Sequence, residues 1–438
     1  MHKAFRYSSI VMGCMLSLCG SSQYTPSRVT LPNAVQNVLQ NRYEIQLAKI
    51  NVQVANTQNH PGVAGALPTV SANLADVQSI TAVNQKLNNG TVIQRSGAKA
   101  NNLQANLTAT QIIYNGNRIV TTKRRLAELE KLSTEQLNSL IQNTIAQVST
   151  VYYDWVRQQN YLTTIQQALE VANKQLELVT TRKQVGLANN ADVFQAQLDA
   201  NALEQAKQQQ ILVLDNLRAD FNTLMQWPPD SATTVVDTIV PVNNLAITTI
   251  VQQLNANADV KVAQANIAIN EMLVKETAAQ RYPTLRWNGG YNYGRNQSEA
   301  GFTLLNQNYG PNIGISVGIP IYNGGAIKQQ EKAARLNTEA ARVSKEVLLR
   351  DLQNAVVKNY QAYQNVLNRI AQEKKNVLIS EQLLTLTQQR YELRVATILE
   401  FREAQKSFID AKYRLVNLSF AAKAAEIELL RLGNMLSL

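Results

Sequence analysis

"PNIGISVGIPIYNGG", residues 311–325, holds two different patterns in one short run. Ile313, Ile315, Val317, Ile319 and Ile321 alternate with Asn312, Gly314, Ser316, Gly318 and Pro320, which is the two-residue period of a strand with one apolar face. The run closes on Tyr322-Asn323-Gly324-Gly325, and the string Ile-Tyr-Asn-Gly occurs a second time at Ile113–Gly116. Each copy leads into sequence of another kind. Between Gly116 and Trp227 there is no proline, and Gly186 is the only glycine after Gly116; beyond Gly325 there is no proline and only Gly433. Stretches so free of breakers predict long helices.

The chain repeats itself at an offset of 208 residues, which places Tyr114 on Tyr322, Tyr152 on Tyr360, Arg182 on Arg390, Ala196 on Ala404 and Gln197 on Gln405. Upstream, "LPT" at 67–69 matches "YPT" at 282–284 with seven more residues of separation, an excess expected in a loop between Pro68 and Tyr114. Each repeat reads as strands followed by a helical hairpin. The first hairpin runs from 117 to about 184, roughly 100 Å at 1.5 Å per residue, turns at Gly186 and returns from Asp192 to Met225. The second runs over about 325–392 and 399–433. The returning helices carry a seam spaced four and three, clearest in Ala404, Phe408, Ala411, Leu415, Leu418, Ala422, Ala425, Leu429 and Leu432.

Strands of about 10 residues are expected within 67–115 and 282–323, the length of a tilted strand crossing a bilayer. Leu285, Trp287, Tyr291 and Tyr293 share one face, and Arg286, Asn288 and Asn292 the other. Leu103, Ala105, Leu107 and Ala109 form a fainter apolar face in the first repeat. A soluble sheet alternates in the same way. Aromatic-ended apolar faces and acid-free polar faces, behind an export signal, favour an outer-membrane barrel. Four strands are too few to close, and lipid does not tolerate an open edge, so the chain is expected to oligomerise.

Residues 1–22 have the order of a secretory signal peptide: Lys3 and Arg6, an apolar run, then small residues. "VMGC" at 11–14 also loosely resembles a lipoprotein cleavage box, with Cys14 as the lipidated residue. Repeat one is assigned to 23–227 and repeat two to 228–438. The only cysteines are Cys14 and Cys19, the only histidines His2 and His60, and no phosphate-binding glycine loop or metal-ligand cluster is present in the sequence. No enzyme activity and no cofactor are expected. Net charge is +11, but no block of five basic residues exists, so no nucleic-acid partner is assigned.

"PIYNGG" at 320–325, the "YPT" strand entry, the two-fold repeat and "VTLPNAVQNVLQNRYEIQLAKINVQVA" from Val29 together resemble the TolC-like outer-membrane efflux proteins. The similarity runs from about Val29 to Met435. It implies a mainly helical chain with a β-barrel contribution, located in the outer membrane with a long periplasmic extension. Three copies would close one twelve-stranded barrel above an α-helical tunnel, barrel and tunnel each drawing on both repeats. It implies a passive conduit in an efflux or type I secretion system, with a periplasmic adaptor, an inner-membrane pump of RND or ABC type, and outer-membrane lipid as partners.

The resemblance also suggests site residues. Tyr114-Asn115-Gly116 and Tyr322-Asn323-Gly324 mark where strand becomes helix, with the tyrosines at the bilayer interface, the asparagines capping and the glycines redirecting the chain. The turns Val185-Gly186-Leu187 and Leu393-Arg394-Val395 correspond to adaptor contacts, the second departing from the family pattern by having arginine for glycine. Glu400 and Glu403 match an acidic ring at the tunnel entrance, and Asp192 with Tyr391 matches a gating latch, for which the resemblance implies a phenol–carboxylate hydrogen bond. Ala396 replaces that latch's usual arginine. Competing readings are a periplasmic or surface-anchored coiled-coil scaffold and an adhesin.

Overall fold

The computed structural model describes residues 27–242, 245–300 and 303–436; the expected signal peptide and Cys14 lie outside them. Strand β1 (Ser27–Val29) leads into α1 (Leu31–Asn41) and α2 (Tyr43–Gln58). A long hairpin comes next, β2 (Thr69–Lys86) and β3 (Val92–Tyr114), and then α3 (Arg118–Gln184) and α4 (Asn190–Leu224). The order recurs: β4 (Thr233–Val235), α5 (Ile247–Gln253), α6 (Ala258–Ala279), β5 (Thr284–Ser298), β6 (Leu305–Gly318), α7 (Ala326–Glu392) and α8 (Ile398–Leu432). Helices α3 and α7 both have 67 residues, and α4 and α8 both have 35.

The four long strands form one antiparallel sheet in the order β2-β3-β5-β6. The helices continue that order. Near the sheet the sequence of neighbours is α2-α3-α6-α7, because each strand is joined directly to the helix below it. Toward the far end α4 packs on α3, and α8 lies between α3 and α7. Four strands above four helices above four helices make one continuous wall. Two edges of it, β2 and β6, have no partner strand among the described residues.

Two cores brace the wall at mid-length, and they are copies of each other. In the first, Val148, Trp155 and Phe221 are buried with Val29, Ala34 and Val38; in the second, Val356, Tyr363 and Leu429 are buried with Ile250, Leu254 and Val260. The first core also holds Tyr152, whose hydroxyl lies 3.0 Å from the Val29 carbonyl oxygen and donates to the Asp237 carboxylate. Burial, and then the hydrogen bond to Asp237, raise the Tyr152 phenol above its ordinary pKa, so it stays protonated as a donor. Along the seam of α8, Ala404, Ala411, Ala422, Leu429 and Leu432 are buried, the small residues letting the helix axes approach closely. No described helix is long and apolar enough to cross a membrane.

The strands differ from expectation in length, at 18, 23, 15 and 14 residues. The extra residues separating "LPT" from Tyr114 lie in a longer β2–β3 hairpin rather than in a loop. Its turn, at 87–91, lets paired backbone extend beyond the β5–β6 connection.

Candidate functional site

The sheet carries its chemistry in rows. Residues directly opposite each other across an antiparallel ladder share a face. One row joins Val70, Ala109, Gly289 and Ile313; the next joins Ala72, Leu107, Tyr291 and Pro311; a third joins Leu74, Ala105, Tyr293 and Tyr309. The row beyond is Asp76, Leu103, Arg295 and Gln307, where charge appears on the same face. In the other direction come Gln111, Trp287 and Ile315, then Tyr114, Leu285 and Val317. Within β5 the apolar band therefore runs from Leu285 to Tyr293, and within β6 from Tyr309 to Val317. That height is the roughly 9–11 residues of a tilted membrane strand. The single chain leaves it bare: Ile313 is 79% exposed and Ile315 68%.

The opposite face is polar and nearly uncharged. Asn73, Asn106, Asn292 and Gly310 form one row, and Ser71, Thr108, Gly290 and Asn312 another. Gly290 has no room for a side chain, because a Cβ there would stand 2.5 Å from the Leu107 carbonyl oxygen. A register shift between Ile112 and Tyr114 turns the end of β3 over by one residue. Tyr114 thereby joins the apolar face opposite Leu285.

The two strand-to-helix junctions share a backbone but not a boundary. Gly116 and Asn117 take φ of 67° and 65°, and Gly324 and Gly325 take 65° and 78°. Gly116 is also sterically required, since a Cβ would lie 2.8 Å from the Ala279 carbonyl oxygen and 2.7 Å from Tyr282 Cβ. The Asn115 side chain accepts from the Ile119 N–H at 3.2 Å, although the N-cap position itself is Asn117, two residues on. Asn323 repeats only the backbone part: its carbonyl accepts from the Ala326 N–H at 3.2 Å, as the Asn115 carbonyl does from the Arg118 N–H at 3.3 Å, and no side-chain cap forms at α7. Strand β6 ends at Gly318 rather than at Tyr322, because Pro320 has no N–H to continue the ladder. Tyr322 consequently stands clear of the sheet, 86% exposed.

At the far end the two helix turns share one conformation. Gly186 has φ 76° and Arg394 has φ 63°. In the first turn Gly186 N–H donates to the Lys183 carbonyl at 3.0 Å and Leu187 N–H to Arg182 at 2.7 Å. In the second, Arg394 N–H donates to Tyr391 at 3.1 Å and Val395 N–H to Arg390 at 2.9 Å. The arginine therefore leaves the turn unchanged. Val185, Leu187, Leu393 and Val395 all project apolar side chains into solvent.

Asp192 and Glu400 are the same position in the two copies. Each is the third residue of a returning helix and helps cap it. Asn189 accepts from the Asp192 N–H at 2.9 Å while the Asp192 carboxylate accepts from the Asn189 N–H at 3.2 Å. The Thr397 hydroxyl oxygen accepts from the Glu400 N–H at 3.2 Å and donates to the Glu400 carboxylate at 3.3 Å. Arg390 reaches Glu400 at 4.0 Å, and Glu403 lies one turn further along.

Asp192 and Tyr391 are not hydrogen-bonded to each other within the chain, and the one side-chain bond of Asp192 is that of its cap. Tyr391 is held instead by Arg182, whose guanidinium lies 5.0 Å from the ring centre and donates to the carbonyls of Tyr391 at 3.3 Å and Glu392 at 2.8 Å. Phe401 stacks against the Tyr391 ring with 6.0 Å between centres. Arg402 pairs with Asp199 at 3.1 Å, tying α8 to α4. Sequence reasoning does not single out Arg182, Phe401, Arg402 or Asp199 as site residues. Arg182 is visible there as a repeated position, but backbone carbonyls at a helix end give no sequence signal.

Residues 34–227 and 249–434 match the family model described as outer membrane efflux protein. The chain is 24% identical over 338 residues to the outer membrane protein TolC of Vibrio cholerae, covering 72% of this chain and 73% of that one. It is 24% identical over 343 residues to the TolC of Escherichia coli, covering 74% and 67%. In fold it is similar to the outer membrane protein VceC of Vibrio cholerae, with a TM-score of 0.75 at 20% identity over 92% of this chain and 96% of that one. The CmeC outer membrane channel of Campylobacter jejuni gives 0.75 at 16% identity over 99% and 94%.

Proposed function

Because this chain belongs to the outer membrane efflux protein family, and so to the outer membrane, we propose that it is the passive exit duct of a tripartite export assembly. Three copies close a twelve-stranded barrel, each β6 pairing with the β2 of a neighbour, and their helices form a tunnel into the periplasm. The observation that carries this reading is the register-aligned apolar band, bare on one face of a sheet whose other face is lined with asparagine, serine and glycine. Such a sheet suits lipid outside and water inside. Both unpaired edges need partners in lipid, and sister copies supply them.

An adaptor protein docks at the exposed turns Val185-Gly186-Leu187 and Leu393-Arg394-Val395, whose shared backbone conformation offers two equivalent apolar knuckles. An inner-membrane pump of RND or ABC type supplies energy and selects cargo, and the chain itself performs no catalysis. Glu400 and Glu403, multiplied by three, ring the tunnel entrance and favour cations. Tyr391 and Asp192 take part in the gate, with Arg182 supplying the contact across the two hairpins.

Single-channel recording in planar bilayers tests the reading. The wild type is expected to conduct weakly and with cation preference, and Glu400→Ala with Glu403→Ala to lose that preference. Tyr391→Phe with Asp192→Ala is expected to raise conductance. Unchanged selectivity removes the ring, and unchanged conductance removes the latch. A water-soluble monomer with no conductance would favour a coiled-coil scaffold instead.

A further inference from the structure

Charge is distributed unevenly along this wall. Residues 114–127, which cover the β3–α3 junction, contain four Lys or Arg and no Asp or Glu; residues 318–336, at the β6–α7 junction, contain three and one. These two short stretches carry +6 of the chain's net +11. Some of this charge is internally neutralised: Arg125 pairs with Glu276 at 2.7 Å, and Arg335 pairs with Glu331 at 2.7 Å. Arg118, Arg124, Lys328 and Lys332 are exposed and have no carboxylate partner among the described residues. Arg124 and Lys332 are equivalent positions of the two repeats, so the feature belongs to both copies.

The place of these cations is what gives them a partner. They come directly after the apolar band, beyond Tyr114 in one repeat and beyond Ile321 and Tyr322 in the other, and Ile321 is 94% exposed. Arg118 is the first residue of α3 and Lys328 the third of α7, while Arg124 and Lys332 lie about 9 Å along their helix axes, from where long side chains that tilt toward the helix start reach back toward the sheet. A headgroup layer is roughly 5–8 Å thick on each side of the hydrocarbon. Helices α4 and α8, which start at the opposite end, place Asp192 and Glu400 in their first turns, whereas α3 and α7 have no acid there. Acids normally favour a helix start, so their absence beside the sheet fits a surface that faces anions.

We propose that Arg118, Arg124, Lys328 and Lys332 form a basic collar that binds the anionic phospholipid headgroups of the leaflet facing the tunnel. The inference rests on the reading that the apolar band spans the membrane. The collar fixes the depth and vertical orientation of the wall by seating its cations at the phosphates while the tyrosines seat at the hydrocarbon edge. Each cation near an anionic surface contributes a several-fold preference, screened by salt.

The full chain reconstituted in nanodiscs of equimolar phosphatidylethanolamine and phosphatidylglycerol, stripped to its tightly held lipids and analysed by native mass spectrometry, provides the test. Wild-type protein is expected to retain phosphatidylglycerol over phosphatidylethanolamine by about threefold or more, with the excess lost at high salt. The triple variant Arg124→Gln, Lys328→Gln, Lys332→Gln breaks no ion pair of the fold and is expected to assemble normally while retaining both lipids equally. Equal retention by the wild type overturns the collar alone, as does an unchanged excess in the variant. Failure of both proteins to enter nanodiscs of any composition overturns the membrane-spanning reading and the collar with it.

Discussion

Arg394 occupies a left-handed backbone position, φ 63°, that Gly186 fills at φ 76° in the other repeat. The same substitution of residue under a fixed conformation recurs along the chain. Gly116, Asn117, Gly186 and Gln226 have positive φ, and so do Gly324, Gly325, Arg394 and Asn434, each 208 residues further on. The duplication has preserved backbone dihedrals where it has not preserved side chains. A Cβ in this region costs roughly 1–2 kcal/mol, so Arg394→Gly is expected to stabilise the protein by about 1 kcal/mol and Gly186→Ala to destabilise it by a similar amount. Chemical unfolding of both variants checks the pair; shifts of the same sign would contradict it. Gly186 was legible in sequence because glycine advertises its freedom. Arg394 was not, since only the offset of the repeat, and not the residue, pointed to a turn. For the same reason the resemblance separates Asp192 from Glu400, although the offset makes them one capping position.

At the scale of elements, the four long helices α3, α4, α7 and α8 were legible nearly to the residue because breakers bound them, whereas α5 and α6, shorter and without such punctuation, were not. The turn and junction glycines sit near the ends of these four, and no proline interrupts them. Strand faces were equally legible, as alternation fixes which residues sit together. Strand lengths were not. Beyond the row of Asp76 and Arg295 the ladder continues while the apolar pattern stops, because hydrogen bonding between strands does not require lipid on one side. In the proposed barrel the spanning unit is thus the band and not the strand. Ile313→Lys, at the middle row, is expected to cost about 2–4 kcal/mol and to impair membrane assembly, whereas Asn312→Lys, on the other face, leaves assembly intact. Heat-modifiable gel mobility of membrane fractions distinguishes them; equal defects would mean that the faces are misassigned. Below the sheet, Arg335, together with the Arg281 charge, holds the buried Glu331 carboxyl below its ordinary pKa. A lowered folded-state pKa stabilises above the ordinary carboxylate value and loses that contribution as pH falls through the depressed one. Glu331→Gln is therefore expected to be less stable than wild type at neutral pH and to show a flatter decline on acidification, read by unfolding across pH. Parallel curves would show that the Glu331 charge does not matter.

For the whole molecule, the order β2-β3-β5-β6 above α2-α3-α6-α7 makes a single wall with two bare edges and one bare apolar face. A soluble monomer would have to expose all three. Family membership and the outer-membrane location agree with lipid against the face, and sister chains against the edges complete the proposed duct. The most direct measurement is electron cryomicroscopy of the full chain in lipid nanodiscs. The account predicts three copies around one axis, with β6 of each hydrogen-bonded to β2 of the next and the row of Ile313 turned toward lipid. A particle in which the four strands fold against the helices of their own chain, away from lipid, would contradict it.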